Sequence, residues 1–522
     1  MRNQWKISLP LVFSLLIFFL LYFIIVSHKI NLVTADLGRH IINGQYVFID
    51  KSVLSQNFYS YTYPTFNTIN HHWAVGVLFY FIHKISGFVG LQIFNIFISF
   101  TTILIFLFTA KRKRNLTLLI PLAFIILPLL AQRTEIRPEI LSNLFAGIIF
   151  SILYFFRERK INFRFLFLIP IIEVIWVNTH IYFFLGPVII GSFLLESIIR
   201  KNKDSLVFLK LFIATSIATL LNPIGLTGSL APFNEFKNYG YELAENKSVW
   251  FLEKYFGKSI YYVFKVVFAF LVFSFVLVLK YKPKKISITN LLLSIFISFM
   301  AWKMVRNITL FSLFSLPFIT HNFETVKKVF PGKINLFMDG KRLKTKFSNI
   351  NRHLFLLIFS IIILIYYFST NQFIKFPYWR EFGFGLETGN NASADFYITN
   401  NLHGPIYNNY DDGGYLIFHL FPKEKVFVDN RPEAYPASFF KNEYIPSQDD
   451  EQKWFELDKQ YNFNTIFFSY NDLTPWGQKY IKNRINDPLW ALVFMDKDLV
   501  VLLKKNQDNQ SIINRFQINI SP

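Results

Sequence analysis

Long apolar blocks alternate with short polar segments from the start of the chain to about residue 370. Each block holds roughly 15 to 23 residues, a length that crosses most of a bilayer as an α-helix. The pattern predicts an α-helical polytopic membrane protein with about eleven transmembrane helices. These helices cover residues 7–27, 88–110, 116–131, 139–156, 165–179, 182–199, 206–222, 260–280, 287–302, 307–321 and 353–369.

Two apolar segments need separate interpretation. The first block follows Arg2 and Lys6, as a signal peptide would, but no small-residue cleavage site follows it, so we expect a retained first span. The segment from Trp73 to Ile85 is too short to cross and carries His83 and Lys84 near its end. We therefore expect an interfacial helix there, inside a first external loop over residues 28–87.

The chain changes character after residue 369, where Asp, Asn and Pro become frequent and no span-length apolar block remains. We predict two domains, a transmembrane core over residues 1–369 and a small extracytoplasmic α/β domain over residues 370–522. Its predicted strands are 425–429, 465–470, 491–494 and 499–503, and its predicted helices lie around 449–460 and 475–483. Asp411-Asp412-Gly413-Gly414 is typical of a turn.

Composition excludes a soluble globular protein, because 53% of the residues are hydrophobic, only 17% are charged, and 65 are Phe. The net charge of +21 does not indicate nucleic-acid binding, because the basic residues lie in short runs between apolar blocks. Such runs set topology and contact anionic membrane lipids. The absence of Cys excludes disulfides, thiolate catalysis and Cys-ligated metals.

The basic runs also predict orientation. They fall before the first span and after even-numbered spans, so the positive-inside rule makes those segments and the N-terminus cytoplasmic. The runs lie at residues 111–114, 157–164, 200–203, 280–285 and 327–352. The opposite segments, including residues 132–138, 223–259 and everything after 370, then face outward. This arrangement is expected for the cytoplasmic (inner) membrane of a bacterium.

Polar residues gather in the predicted outer segments. Asp36 and His40 would lie one turn apart on one helix face, where they could act as base and orienter or share a divalent metal. The structural alternative is an Asp that caps an interfacial helix and a His that reaches water. An aromatic belt explains the Tyr and Trp residues of this loop. His71 and His72 precede the short apolar helix and could bind a metal, although adjacent residues on a helix cannot easily face one metal together.

Further candidates lie in three later outer segments. One holds Arg133, Glu135, Arg137 and Glu139, which could form a solvated ion-pair cluster or bind phosphate through the arginines. Another holds Lys303 and Arg306, and the third holds Asn178 and His180. Each group alone fits a structural role, but together they predict a polar cavity that opens outward.

A series of short motifs follows the chain in order. The motifs are Asp36-Leu37-Gly38-Arg39-His40 with Asn43-Gly44, Phe58-Tyr59-Ser60-Tyr61-Thr62, His71 and Trp73, Arg137-Pro138-Glu139, Trp176-Val177-Asn178-Thr179-His180, Leu221-Asn222-Pro223-Ile224-Gly225, Gly413-Gly414-Tyr415-Leu416 and Val428-Asp429-Asn430-Arg431. Together they resemble bacterial membrane proteins of the GT-C glycosyltransferase type. The resemblance covers residues 30 to 505.

The resemblance implies a cell-envelope enzyme that transfers sugar from a polyprenyl-phosphate donor to a glycan, lipid or protein acceptor at the outer membrane face. Asp36 matches the family's acidic residue, accompanied by Arg39 and His40. Relatives often have an acid where His72 stands, so one carboxylate is expected here rather than two. Glycosyl transfer needs a base, for which Asp36 is available, with His40 beside it.

It also needs cations for the departing phosphate, for which Arg39, Arg133, Arg137, Lys303 and Arg306 are available. The remaining polar residues, His71, His72, Glu135, Glu139, Asn178 and His180, would bind acceptor or support the site. A divalent metal on Asp36 and His40 stays open and is not required. Asp429 and Arg431 either contact the acceptor or fix a turn, and a turn is favoured. The alternative function is a non-enzymatic transporter or assembly factor for glycans or lipids that keeps the same fold.

Overall fold

The computed structural model describes residues 9–111, 116–257, 260–327, 347–369 and 381–519. Several sequence predictions concern residues outside these ranges. They include the basic residues Arg2 and Lys6, most of the basic runs at 111–114 and 327–352, and the predicted boundary at residue 370. The division into two domains at that residue stays a prediction.

Long helices make up most of the chain before residue 370. They are α1 (Leu9–Val26), α2 (Leu37–Asp50), α3 (Trp73–Ala110), α4 (Leu116–Leu130), α5 (Glu139–Arg157), α6 (Leu168–Val177), α7 (Leu185–Ile199), α8 (Ser205–Ala218), α9 (Leu226–Ser229), α10 (Val249–Phe256), α11 (Ile260–Tyr281), α12 (Ile288–Lys303), α13 (Ile308–Val326) and α14 (Phe347–Ser369). Short 3₁₀ turns connect them at Phe163–Phe167, Ile181–Phe184, Ala231–Phe236, Ala244–Asn246, Pro283–Lys285 and Val305–Asn307.

A helix occupies each of the eleven predicted spans. Five helical segments are long and apolar enough to cross a membrane, namely Leu9–Val26, Trp73–Ala110, Glu139–Arg157, Ile181–Ile199 and Ile260–Tyr281. Shorter apolar helices cover Leu116–Leu130, Ser205–Ala218, Ile288–Lys303 and Leu354–Tyr366. The chain is therefore a multi-pass helical membrane protein, and the count of about eleven spans stays a prediction.

Helix α3 bends at Gly87, which has a positive φ of 62°. The part before the bend, starting at Trp73, packs against α2. Their backbones nearly touch, since a Cβ on Gly44 would lie 1.9 Å from the carbonyl oxygen of Gly76. Only glycine permits this approach, and it brings His40 on α2 close to His72 at the start of α3.

Two polar groups mark opposite ends of the helical core. Helix α5 begins at Glu139 near the arginines of residues 132–138 and ends at Arg157. At that far end Glu196 accepts hydrogen bonds from Arg157 (2.9 Å) and Arg200 (3.0 Å). A helix of this length separates its ends by roughly 28 Å, so the two groups lie at different membrane faces if α5 crosses upright.

The C-terminal region forms a four-stranded sheet with short helices around it. Its strands are β1 (Ile406–Asn408), β2 (Thr465–Ser469), β3 (Trp490–Met495) and β4 (Leu499–Lys504) in the order β1-β2-β4-β3, with only the β1–β2 pair parallel. The helices are α15 (Ala392–Thr399), α16 (Gly413–Leu420), α17 (Ala437–Phe439), α18 (Ile445–Asp449), α19 (Glu451–Tyr461), α20 (Pro475–Ile485) and α21 (Gln510–Phe516), with a 3₁₀ turn at Pro432–Ala434 and a π-helical turn at Phe440–Tyr444. The small sheet region agrees with the predicted α/β character.

One local prediction in this region is wrong and another is correct only in part. Residues 425–429 form no strand, because Val426 pairs with the backbone of Tyr59 and Tyr61 while Asn408 Oδ1 accepts from the amide of Phe427 at 2.9 Å. A side-chain amide thus takes the place of a neighbouring strand. The turn predicted over residues 411–414 is present at Asp411 and Asp412, whereas Gly413 and Gly414 open helix α16.

The C-terminal region shares a hydrophobic core with residues 28–87, the predicted first external loop. Buried side chains of the loop and of α3, such as Tyr59 and Val75, belong to one cluster with Tyr415, Phe467 and Val501. This continuous packing fixes the C-terminal region against α2, and it determines which C-terminal residues reach the site.

Candidate functional site

The site begins where α2 starts. Asp36 precedes the first turn of α2 but its side chain caps no backbone amide. Its Oδ1 instead accepts a hydrogen bond from Asn430 Nδ2 at 2.5 Å, and its Oδ2 lies 3.5 Å from Arg137 Nη1 and 4.0 Å from Arg39 Nη2. The alternative in which Asp36 serves as a helix cap is therefore wrong.

Asn430 connects the C-terminal region to this helix end. Its Oδ1 accepts from Arg39 Nε at 2.8 Å while its Nδ2 donates to Asp36. The loop that carries Asn430 lies directly on α16, because a Cβ on Gly413 would sit 2.5 Å from Asp429 Cα. Glycines at 413 and 414 therefore allow this loop to reach α2.

A cluster of arginines and glutamates adjoins Asp36. Arg133 makes a bidentate pair with Glu139 through Nε (2.6 Å) and Nη2 (2.8 Å). Arg137 Nε donates to Glu135 at 2.6 Å. Bidentate, charge-assisted bonds of this kind hold a guanidinium in a fixed orientation, so the loop before α5 presents both arginines to the same space.

Glu245 completes the cluster from the 3₁₀ turn Ala244–Asn246. Its carboxylate accepts from Arg133 Nη1 at 2.6 Å and lies 3.4 Å from Arg137 Nη1 and 3.7 Å from Arg306 Nη1. Burial alone would raise the pKa of Glu245, but the three guanidinium groups outweigh it and lower the pKa to about 2. Glu245 is therefore an anion at physiological pH.

These groups surround a cavity of about 570 Å³. Its lining holds eight basic and five acidic side chains, so it favours an anionic ligand. The structure brings ten of the predicted site residues to this lining, namely Asp36, Arg39, His40, His72, Arg133, Arg137, Glu139, His180, Lys303 and Arg306.

Three histidines line one wall. The ring centroid of His72 lies 5.4 Å from that of His40 and 5.3 Å from that of His180. Burial, reinforced by neighbouring cationic groups, lowers the pKa of each ring well below its usual value, so all three are neutral. His180 Nδ1 pairs with Ser142 Oγ at 2.8 Å, whereas His40 Nδ1 is buried without a hydrogen-bond partner among the described residues.

The donor set does not fit a metal centre. Within the described ranges no three His, Asp or Glu side chains are arranged to hold a metal ion. Asp36 directs its oxygens to Asn430 and Arg137, while the ring of His40 packs on His72 and Phe79. No chemical step is therefore assigned to a metal here.

Three predicted residues lie outside the main cavity. Asn178 has a structural role, since its Oδ1 accepts from Trp73 Nε1 at 2.9 Å and its Nδ2 donates to the carbonyl of Leu221 at 2.9 Å. His71 lies beside it at a small separate cavity. Glu135 orients Arg137 from behind the lining.

The contacts of Asp429 and Arg431 agree with the favoured alternative, in which this pair fixes a turn. Arg431 donates to both carboxylate oxygens of Asp429 at 2.8 and 2.7 Å, and to Asn57 Oδ1 at 2.6 Å. Its guanidinium also lies 5.3 Å from the ring centroid of Tyr59. The pair fixes the loop that ends at Asn430, although Arg431 also lines the cavity.

Sequence reasoning assigned no role to Asn430 or Glu245. Asn430 stands inside the motif Val428-Asp429-Asn430-Arg431, in which only Asp429 and Arg431 have a predicted role. Glu245 belongs to no motif, and its only signal was its place in the predicted outer segment 223–259.

Neither family models nor curated protein sequences match this chain. Solved structures do resemble it. The oligosaccharyltransferase AglB from Archaeoglobus fulgidus, in complex with an inhibitory peptide and a dolichol-phosphate, is 13% identical and has a TM-score of 0.55, with 87% of this chain and 69% of that chain covered. The apo form of the A. fulgidus oligosaccharyltransferase is 11% identical and has a TM-score of 0.57, with 90% of this chain and 70% of that chain covered. ArnT from Cupriavidus metallidurans bound to undecaprenyl phosphate is 11% identical and has a TM-score of 0.48, with 94% of this chain and 97% of that chain covered.

The likeness to the oligosaccharyltransferase structures defines the architecture. The chain has the fold of these oligosaccharyltransferase structures, and the predicted resemblance is confirmed at the level of the fold.

Proposed function

We propose that this protein is a membrane glycosyltransferase that moves a sugar from a polyprenyl-phosphate-linked donor to an acceptor at the outer face of the cytoplasmic membrane. The observation that carries the proposal is the position of Asp36 beside a cluster of arginines on one polar cavity within a GT-C-type fold. The excess of basic groups favours the phosphate of a lipid-linked donor.

The chemistry of transfer matches these groups. The acceptor hydroxyl oxygen attacks the anomeric carbon from the face opposite the phosphate, with inversion, while the bond from that carbon to the phosphate oxygen breaks. Asp36 takes the hydroxyl proton, and the electron pair of the broken bond leaves on the lipid phosphate. Arg137 and the neighbouring cations stabilise that charge as it develops.

The neutral histidines offer a second set of polar contacts. His40, His72 and His180 line the cavity next to Asp36 and carry no charge. Uncharged imidazoles suit hydrogen bonds to sugar or acceptor hydroxyls. We therefore place the acceptor on this wall and the phosphate on the arginine side.

The test is transfer from a panel of radiolabelled polyprenyl-phosphate sugars in membranes that carry the wild type, Asp36→Asn or Asp50→Asn. Asp50 is a matched control, because it is an exposed Asp at the other end of the same helix. We expect transfer by the wild type and Asp50→Asn and its loss in Asp36→Asn at equal expression. Equal transfer by all three removes Asp36 from catalysis, and no transfer by any of them favours the non-enzymatic alternative. A parallel chelator series measures metal dependence directly.

A further inference from the structure

Glu245 occupies the position that an anionic ligand would take in the arginine cluster. Guanidinium groups from two segments of the chain converge on its carboxylate, two from residues 133–137 and one from Arg306. A carboxylate and a phosphate both present charged oxygens that accept from such forks. The same donors could therefore hold either group.

The two arginines of the first segment do not need Glu245 to keep their positions. Arg133 is already held by both oxygens of Glu139, and Arg137 by Glu135 at 2.6 Å. If Glu245 left, each guanidinium would retain its own carboxylate partner. Arg133 and Arg137 would then keep the orientation that binds an oxyanion. The cluster would have one negative charge fewer, so its net charge would be more positive.

The segment that carries Glu245 is short. It is a single 3₁₀ turn, Ala244–Asn246, with local backbone bonds on either side. One further backbone bond joins it to the 3₁₀ turn that follows α12, from Val305 N to the carbonyl of Lys247 at 3.1 Å. The Glu245 side chain keeps 24% of its surface exposed towards the cavity. A rotation about its side-chain bonds is enough to release the arginines without moving a long helix.

We propose that Glu245 is an internal occupant of the donor's phosphate subsite, and that the phosphate of the lipid-linked sugar displaces it from Arg133, Arg137 and Arg306. This inference rests on the proposed function, since it takes the donor to be a lipid-linked phosphate. Only the fraction of molecules with Glu245 displaced binds the phosphate, so the carboxylate lowers the apparent affinity. Removal of its charge should therefore tighten binding.

The experiment measures binding to the full-length protein in detergent for the wild type, Glu245→Gln and Glu242→Gln. Glu242 is the matched control, because it lines the same cavity from the same loop but pairs with Lys247, and its side chain is 70% exposed. The probes are geranylgeranyl monophosphate, inorganic phosphate and the uncharged alcohol geranylgeraniol. Melting temperatures of all three proteins check folding.

We expect Glu245→Gln to bind geranylgeranyl monophosphate about ten-fold more tightly than the wild type. We expect Glu242→Gln to stay within about two-fold of the wild type, as befits an exposed charge. The alcohol should bind all three proteins alike.

Equal or weaker binding of the lipid phosphate by Glu245→Gln overturns the inference and leaves the proposed function in place. Tighter binding of inorganic phosphate alone also overturns it, because the subsite would then serve free phosphate. An equal gain in Glu242→Gln would reveal a general charge effect and overturn it as well. Absence of lipid-phosphate binding by all three folded proteins overturns both the inference and the proposed function.

Discussion

Asn430 Nδ2 lies 2.5 Å from Asp36 Oδ1, although 394 residues separate the two along the chain. The amide is held on its other side by Arg39 Nε at 2.8 Å. A carboxylate fixed in this way has little rotational freedom and keeps one oxygen directed towards the arginines. The C-terminal region therefore contributes directly to the orientation of the proposed base.

Substitution of Asn430 tests this orientation. Asn430→Ala should lower the turnover number by about ten- to a hundred-fold with a smaller change in donor KM, because Asp36 keeps its charge but loses its position. Asn430→Asp should cost more at neutral pH and recover partly at acidic pH, where one of two adjacent carboxylates takes up a proton. Transfer assays across a pH series measure both effects. Parallel pH profiles for the two variants would argue against a positioning role.

Gly413 controls how closely the Asn430 loop packs on α16. A Cβ at this residue would lie 2.5 Å from Asp429 Cα and 2.5 Å from the carbonyl oxygen of Val428, and backbone atoms cannot yield. We expect Gly413→Ala to lower the free energy of unfolding by about 1–3 kcal/mol and to reduce transfer. Gly191→Ala is the control, since its new methyl would meet only Phe212 at 3.5 Å. Thermal unfolding of both variants in detergent gives the comparison, and equal stability would contradict the packing argument.

His40 predicts a pH dependence of stability. Burial, with Arg39 and Arg137 nearby, lowers its pKa well below 6.5, while in the unfolded chain it takes up a proton near its usual pKa. The free energy of unfolding should therefore be constant above about pH 6.5 and fall below it, by up to about 1.4 kcal/mol per pH unit for each such histidine. Melting temperatures from about pH 7.5 to 5.5 should fall less in His40→Gln than in the wild type. A wild-type slope in His40→Gln would contradict the assignment of this pH dependence to His40.

The helices could be predicted from the sequence because their signal is local. Apolar blocks of span length lie at residues 139–156 and 260–280, and the structure has helices at Glu139–Arg157 and Ile260–Tyr281. The strand β1 was missed because it has only three residues, all buried, and includes Asn408. The false strand at 425–429 has β-type composition, but its backbone partners are Tyr59 and Tyr61, which lie far away in the sequence.

The candidate site could be predicted in part for the same reason. Asp36, Arg133 and Arg137 stand in short polar segments between apolar blocks, so position relative to the membrane was enough to group them. Asn430 and Glu245 reach the site through long-range packing. The local hydrophobic periodicity of a single sequence predicts helices and strands but not such contacts. Their contacts depend on how the outer loops and the C-terminal region fold onto α2.

Arg133 should be sensitive to a substitution that preserves its charge. It uses Nε and Nη2 for Glu139 and Nη1 for Glu245, a division that a lysine ammonium cannot reproduce. We expect Arg133→Lys to raise the KM for the donor about ten-fold or more, the effect of losing one charge-assisted hydrogen bond. Arg159→Lys is the control, because Arg159 lies beyond the other end of α5 with 58% of its side chain exposed. Equal donor KM in the two variants would remove Arg133 from phosphate binding.

The orientation of the chain can be measured directly because the sequence contains no Cys. Asp50 ends α2, the helix that Asp36 precedes, and Glu158 follows α5 at the end remote from the cavity, and both are exposed. Arg157 precedes Glu158 and shares the carboxylate of Glu196 with Arg200, so the positive-inside rule predicts that this end lies in the cytoplasm. We expect a membrane-impermeant maleimide to label Asp50→Cys in intact cells and Glu158→Cys only after lysis. Labelling of Glu158→Cys alone in intact cells would reverse the orientation, and the donor would then have to be supplied from the cytoplasmic leaflet.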